Sequence, residues 1–279
     1  MLKQYQNTWK REAILMNRIE KRFNELKKKN EKAFITYMTA GLPDMKKCGE
    51  IIKAQDEAGI DIIELGIPFS DPIADGPVIQ EASYNSIQKG TNLKKVFGLV
   101  KDVRKDCEVP IVFMMYYNTI LYYGIENFVN KCVECGVDGL IVPDLPFEET
   151  FEIREVIEKT EEAPYLIPLV SPVSKDRVSM IAEGAKGFVY CVSSMGVTGQ
   201  DAAEFHNGMR EYLSHVKSVS KIPVMMGFGI KTAKDVESYK DIIDGCIVGS
   251  HFIEIMKESN YDISTIKEYI TSFKKELNI

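Results

Sequence analysis

Eight short apolar runs alternate with amphipathic segments along the chain, and this alternation limits the possible folds more than any other feature. Each run is followed by a loop that contains glycine or proline, and then by a segment with helical periodicity. Such repeats form right-handed βαβ units around a parallel sheet. Eight repeats favour a closed (β/α)8 barrel over an open doubly wound sheet, which usually has roughly five to seven strands. The predicted strands lie at residues 34–38, 60–65, 111–115, 139–142, 165–169, 187–192, 222–226 and 242–248. The predicted helices lie at residues 45–58, 93–105, 125–135, 147–160, 174–183, 203–219, 232–239 and 262–276.

An extra helix is predicted before the first strand, over residues 9–29, where apolar residues recur at intervals of three and four between charges. We expect it to cover one end of the barrel. No linker or shift in composition divides the chain. The α/β fold class is therefore a single (β/α)8 TIM barrel domain over residues 1–279, with residues 1–30 as an N-terminal helical segment.

Composition excludes several classes of partner. The net charge of -6 and the pI near 5.4 argue against nucleic acid and anionic membranes. No secretory signal is visible and no apolar stretch approaches membrane-spanning length, so we expect a cytoplasmic protein.

The Cys132-x-x-Cys135 pair lies in an apolar-periodic helix and has no second pair, which favours packing over a metal or redox site. The histidines form no pair at ligand spacing, so no metal is expected.

Glu64 interrupts the second apolar run, which reads Asp61-Ile62-Ile63-Glu64-Leu65. Burial without a partner would raise its pKa and suit a group that gives and takes a proton near neutral pH. The alternative is a structural acid paired with a buried Arg or Lys. Asp71 and Asp75 lie in the following loop, where the alternative is turn formation. Because catalytic groups of (β/α)8 enzymes lie at the carboxyl ends of the strands, the barrel prediction favours an acid/base set.

Glycine clusters follow the last three predicted strands, at residues 196–199, 227–229 and 249–250. Barrels often bind phosphate with backbone N–H groups of the loops after strands 7 and 8 and of a short extra helix. The segment from Phe252 to Lys257 has the length of that helix. Each glycine pair alone is equally typical of a turn, but together they indicate a phosphate site. The polar segment from Gly196 to Gly208 is typical of a mobile lid, with a plain surface loop as the alternative.

The stretch from Glu64 to Gln80 resembles the signature of the tryptophan synthase α subunit family. The match is long and specific, and the resemblance runs from about Phe34 to the end of the chain. Further segments that resemble the family are Thr39–Pro43, Met115–Asn118, Pro143–Pro146, Gly196–Gly199 and Gly227–Gly229.

The resemblance implies a lyase that cleaves indole-3-glycerol phosphate to indole and glyceraldehyde 3-phosphate without cofactor or metal. Indole would pass to a partner β subunit, in an α2β2 heterotetramer that makes tryptophan. Glu64 would protonate the indole C3 atom and take the proton of the glycerol hydroxyl. Asp75 would act on the indole N–H. Two carboxylates in unlike environments suit this retro-aldol cleavage.

The family pattern also implies binding residues and partner contacts. Tyr37 and Tyr190 would line the substrate site, and Thr198 would belong to the lid. Asp71 and Asn118 would lie near the β-subunit contact. The phosphate cradle would comprise Gly199, Gly229, Gly249 and Ser250.

Two positions depart from the family pattern. Tyr37 stands where the family often has Phe, so its hydroxyl needs a partner or water. Ser194 stands where bacterial members often carry Arg. The sequence leaves open a stand-alone indole-3-glycerol phosphate lyase, a non-catalytic barrel that binds a phosphorylated metabolite, and another phosphate-binding barrel enzyme, which would carry its acids at other strand ends.

Overall fold

Parallel strand pairing organises the computed structural model of the chain, which describes residues 16–192, 202–227 and 229–279. The described residues form one sheet of nine strands, all paired in parallel. The strands are β1 Ala33–Thr39, β2 Ile62–Gly66, β3 Ile111–Met114, β4 Gly139–Ile141, β5 Tyr165–Leu166, β6 Leu169–Val170, β7 Val189–Val192, β8 Val224–Gly227 and β9 Gly245–Val248.

The sheet closes on itself through one extended segment, residues 165–170. Strand order runs from β5 through β4, β3, β2, β1, β9, β8 and β7 to β6, so β5 pairs with β4 while β6 pairs with β7. β5 and β6 are halves of the same predicted strand, separated by Ile167 and Pro168. Pro168 has no N–H to donate, which interrupts the ladder there. With β5 and β6 counted as one interrupted strand, the sheet is a closed barrel of eight strands, and the predicted (β/α)8 fold is confirmed.

Helices cover the outside of the barrel, with bounds close to those predicted for most segments. Helices Pro77–Gln88 and Tyr117–Tyr123 were not expected from the sequence. The first begins at a proline that suits the first turn of a helix, and the second is only seven residues long. The α-helices are Arg18–Lys29, Met45–Glu57, Pro77–Gln88, Leu93–Val103, Tyr117–Tyr123, Ile125–Cys135, Phe151–Lys159, Val178–Ala182, Ala202–Val219, Ser250–Glu258 and Ile263–Leu277. Short 3-10 helices occupy Phe147–Glu149, Pro172–Arg177 and Ala233–Tyr239, where continuous α-helix was predicted for residues 147–160, 174–183 and 232–239.

The helix before β1 closes the amino-terminal end of the barrel, as predicted. It begins at Arg18, and the side chain of Asn17 caps it by accepting a hydrogen bond from the Ile19 N–H. Ile19 and Leu26 are buried with the side chains of the barrel interior, and Phe23 packs on Phe188 with ring centroids 6.0 Å apart. The predicted residues 9–15 of this helix lie outside the described residues.

The opposite end of the barrel carries polar side chains. Tyr37 of β1 and Glu64 of β2 are register partners, so their side chains stand beside each other on one face of the sheet. Both are buried. In the part of the chain that the structure describes, no helix is long and apolar enough to cross a membrane.

Candidate active site

Glu64 is a buried carboxylate near the carboxyl end of β2, with 1% of its surface exposed. Neither of its oxygens has a hydrogen-bond partner among the described residues. A buried charge without a partner is costly, so the neutral acid is favoured. Burial first, and then the charge of Asp75, raise the pKa of Glu64 to about 8. The alternative of a structural acid paired with Arg or Lys has no support from the described residues.

Asp75 lies in the loop after β2 and is half-buried. The Tyr116 hydroxyl donates to its Oδ2 atom over 3.0 Å. Burial raises the pKa of Asp75, and the hydrogen bond from Tyr116 opposes that rise. The Asp75 N–H donates to the Pro72 carbonyl, but the carboxylate itself accepts from Tyr116, which lies in the loop after β3. Turn formation alone therefore does not account for this side chain.

The two carboxyl groups thus lie near each other in unlike environments. Glu64 is enclosed and unpaired, whereas Asp75 is partly open and hydrogen-bonded. At neutral pH the Glu64 carboxyl is protonated. The hydrogen bond from the Tyr116 hydroxyl favours the ionised form of Asp75. Such a pair can deliver a proton at one point of a substrate and attract positive charge at another.

Tyr37 and Tyr190 complete the enclosed surface around Glu64. Burial is the largest cause of the raised pKa of both phenols, so their hydroxyls keep their protons at neutral pH. The Tyr37 hydroxyl lies 3.4 Å from Thr39 Oγ1. A Cβ atom on Gly66 would overlap the Tyr37 hydroxyl, and one on Gly227 would lie 2.6 Å from the Tyr190 ring. Glycine at these two positions makes room for the rings.

A helix start faces the same end of the barrel. Gly249 precedes the helix Ser250–Glu258 and supplies no capping side chain, and a Cβ atom built on it would lie 3.7 Å from the Tyr37 Cβ. The first N–H groups of a helix need partners and favour an anion. Gly229, in the preceding loop, adopts a φ of 73° that suits glycine. The short helix predicted after the last strand is confirmed.

Two residues of the predicted site, Thr198 and Gly199, lie outside the described residues, and so does Ser194, which departs from the family pattern. The structure therefore brings Glu64, Asp75 and the two tyrosines together and leaves the lid untested.

Asp71 and Asn118 are exposed at the rim of this end. Large apolar side chains are exposed close to them in the sequence: Ile73 is 86% and Tyr122 is 93% exposed. Tyr122 lies one helical turn after Asn118 in the helix Tyr117–Tyr123, so the two side chains project from the same face of that helix.

Sequence reasoning assigned no role to Tyr116, which the structure places in this site. It lies in the Met115–Asn118 segment that resembles the family, but a tyrosine directly after an apolar strand is equally typical of a packed core. Its hydrogen bond to Asp75 depends on how the loops after β2 and β3 pack together. The spacing of residues in the sequence does not predict the distance between two loops.

A separate cavity of about 790 Å³ lies on the outer wall of the barrel beside β5. Its lining includes Asp138, Tyr165 and Arg177. Neither Glu64 nor Asp75 lines it, so we place no chemistry there.

Comparison with known families agrees with this geometry. The model of the tryptophan synthase alpha chain family matches residues 23–278. The chain belongs to this family. Its relatives include the tryptophan synthase alpha chain of Lachnospira eligens, which is 61% identical over 264 residues, or 94% of this chain and 100% of the relative. That of Caldanaerobacter subterraneus is 46% identical, over 94% of this chain and 100% of the relative.

Solved structures of the tryptophan synthase alpha chain family share the fold. Tryptophan synthase subunit alpha from Legionella pneumophila superposes with a TM-score of 0.85 at 33% identity, covering 94% of this chain and 98% of that one. A chain of tryptophan synthase from M. tuberculosis, in an open form, superposes with a TM-score of 0.83 at 28% identity, covering 94% and 99%. The predicted family and fold are both confirmed.

Proposed function

We propose that this chain catalyses the α reaction of tryptophan synthase, the cleavage of indole-3-glycerol phosphate to indole and glyceraldehyde 3-phosphate, with Glu64 and Asp75 as its catalytic residues. Family membership assigns the chain to the lyases of tryptophan biosynthesis. The observation that carries the assignment of roles is the buried, unpaired Glu64 beside the hydrogen-bonded Asp75 at the catalytic end of the barrel.

The reaction begins with a proton transfer from the neutral Glu64 carboxyl to C3 of the indole ring. Protonation breaks the aromaticity of the five-membered ring and places positive charge on its nitrogen. The Asp75 carboxylate accepts a hydrogen bond from that N–H and stabilises the charge. A pKa of about 8 keeps Glu64 protonated at the start of this step.

The second step breaks the carbon–carbon bond. Glu64, now a carboxylate, takes the proton of the glycerol hydroxyl on the carbon attached to C3. The O–H electrons form the aldehyde carbonyl, and the C–C electrons return to the ring and restore indole. Glu64 ends protonated, ready for the next substrate, so one group serves as acid and then as base.

Substrate binding uses the remaining residues of the site. Tyr37 and Tyr190 contact the indole and glycerol portions in the enclosed chamber. The phosphate lies at the start of the helix Ser250–Glu258, against the backbone of Gly249 and Gly229. Gly199 and Thr198 complete the cradle and the lid.

The test of this assignment is Asp75→Asn, measured by indole release from indole-3-glycerol phosphate. We expect a loss of kcat of roughly 100-fold or more, because the amide carries no charge to stabilise the ring nitrogen. Glu158→Gln is the matched control, since it removes a carboxylate from the exposed face of the helix Phe151–Lys159. An unchanged rate of indole release in Asp75→Asn would refute its catalytic role and favour turn formation instead.

We further propose a β subunit as partner, in an α2β2 heterotetramer, with the contact at Asp71 and Asn118. The exposed Ile73 and Tyr122 beside them supply apolar surface for such a contact. Indole release by the purified chain should rise strongly when a β subunit is added. Fast release that ignores the β subunit would indicate a stand-alone lyase, and no release under either condition would indicate a binding protein.

A further inference from the structure

Tyr116 makes three contacts with the loop that carries Asp75. Its hydroxyl donates to Asp75 Oδ2 over 3.0 Å, and its oxygen accepts a hydrogen bond from the Ala74 N–H over 2.9 Å. Its ring stacks on Phe69, with centroids 4.9 Å apart and an interplanar angle of 19°. One side chain from the loop after β3 therefore contacts the loop after β2 near both of its ends.

The Ala74 N–H fixes the direction of the Tyr116 proton. Because the tyrosine oxygen already accepts from Ala74, its own hydrogen points away from that donor and toward the Asp75 carboxylate. The stacked Phe69 ring limits rotation of the tyrosine about its side-chain bonds. Asp75, on an irregular loop, thereby acquires one preferred orientation.

We propose that Tyr116 is a positioning residue for the reaction, which holds Oδ2 of Asp75 so that Oδ1 remains free for the ring N–H of the substrate. This inference rests on the proposed function of Asp75. Tyr116 does not touch the reacting atoms in this account. It acts by fixing the carboxylate that does, as supporting hydrogen bonds do in other preorganised sites.

The electrostatic setting agrees with this role. Burial raises the pKa of Asp75, and the Tyr116 hydrogen bond opposes that rise. The other titratable groups that face this pair are Glu64, Tyr37, Tyr190 and Asp144. None of these is a cation, so Tyr116 is the side chain, among the described residues around Asp75, that supports its ionised form.

The first test is Tyr116→Phe, with Tyr117→Phe as the matched control. The two variants remove one hydroxyl each from adjacent tyrosines, and the Tyr117 hydroxyl has no partner among the described residues. We expect Tyr116→Phe to lower kcat roughly 10- to 100-fold with little change in KM, as expected for a lost bond to a charged group. The acid limb of its pH–rate profile should move to higher pH, because Asp75 loses the donor that supports its charge. Tyr117→Phe should stay within about twofold of the wild type.

A double-mutant cycle separates positioning through Asp75 from a general structural effect. In the Asp75→Asn background, Tyr116→Phe should cause no further loss of kcat, since the group it positions is already replaced. A loss that multiplies across the two substitutions, or a Tyr116→Phe enzyme with the wild-type rate and pH profile, would overturn the inference. Thermal unfolding of each variant checks that the fold is retained.

The cycle also distinguishes the two proposals. An Asp75→Asn enzyme of normal activity would refute the proposed function of Asp75 itself. An impaired Asp75→Asn enzyme beside a normal Tyr116→Phe enzyme would refute only the role of Tyr116.

Discussion

Replacement of Glu64 by Gln should stabilise the protein relative to the wild type as the pH rises. The side chain is fully enclosed and lacks a hydrogen-bond partner among the described residues. The glutamine amide has the same shape and never ionises. The variant therefore removes the cost of charging this position without leaving a cavity.

The magnitude follows from the pKa. The pKa of Glu64 rises from the ordinary value of 4.5 to about 8 on folding. At about 1.4 kcal/mol for each pKa unit, the protonated carboxyl contributes about 5 kcal/mol to the free energy of unfolding at low pH, relative to high pH. Below pH 4.5 the group is protonated in both states. Between 4.5 and about 8 the unfolded chain ionises this group and the folded chain does not, so the free energy of unfolding falls as the pH rises. That stabilisation is lost completely once the pH exceeds the folded pKa.

Urea unfolding of wild type and Glu64→Gln at a series of pH values measures this effect. From about pH 5.5 to about pH 8, the variant should gain roughly 3 kcal/mol relative to the wild type, at about 1.4 kcal/mol per pH unit. Groups common to both proteins cancel in the difference. Glu158→Gln controls for loss of a carboxylate at an exposed position. A stability difference between Glu64→Gln and wild type that does not change with pH would refute a protonated Glu64 at neutral pH.

Three further substitutions test other parts of the site. Gly66→Ala should lower the free energy of unfolding by about 1–3 kcal/mol in thermal denaturation, because its Cβ overlaps the Tyr37 hydroxyl; adding Tyr37→Phe should recover part of the loss, and no recovery would contradict the contact. Gly249→Asp should raise KM roughly tenfold or more, because a carboxylate at this helix start repels phosphate; an unchanged KM in steady-state kinetics would place the phosphate elsewhere. Tyr122→Ser should change the stability of the isolated chain by less than about 0.5 kcal/mol but weaken activation by the β subunit in a titration, and full activation would exclude this surface from the contact.

The fold was predictable because its signal repeats. Eight apolar runs of similar length, each followed by a loop and a helix, leave few topologies, and the observed barrel is one of them. The break at Ile167 and Pro168 was not predicted, since the apolar run there continues through the proline. Its position depends on which neighbours the segment meets on each side of the barrel.

The site was predictable in part, for a similar reason. Glu64 is conspicuous because an acid in an apolar strand is rare, and the Asp75 motif resembles a family. Tyr116 gave no such signal, because a tyrosine after a strand fits a core as well as a site. Its bond to Asp75 joins residues 41 positions apart, and only the three-dimensional arrangement of the loops after β2 and β3 brings them within reach.

Indole release from indole-3-glycerol phosphate by the purified chain, measured for wild type and for Glu64→Gln, tests the acid–base role of Glu64. We predict measurable release by the wild type and a fall of roughly a thousandfold in the variant, within the range that general acid–base groups contribute, while binding of the substrate is retained. A Glu64→Gln enzyme that releases indole at the wild-type rate would contradict the mechanism at its first step.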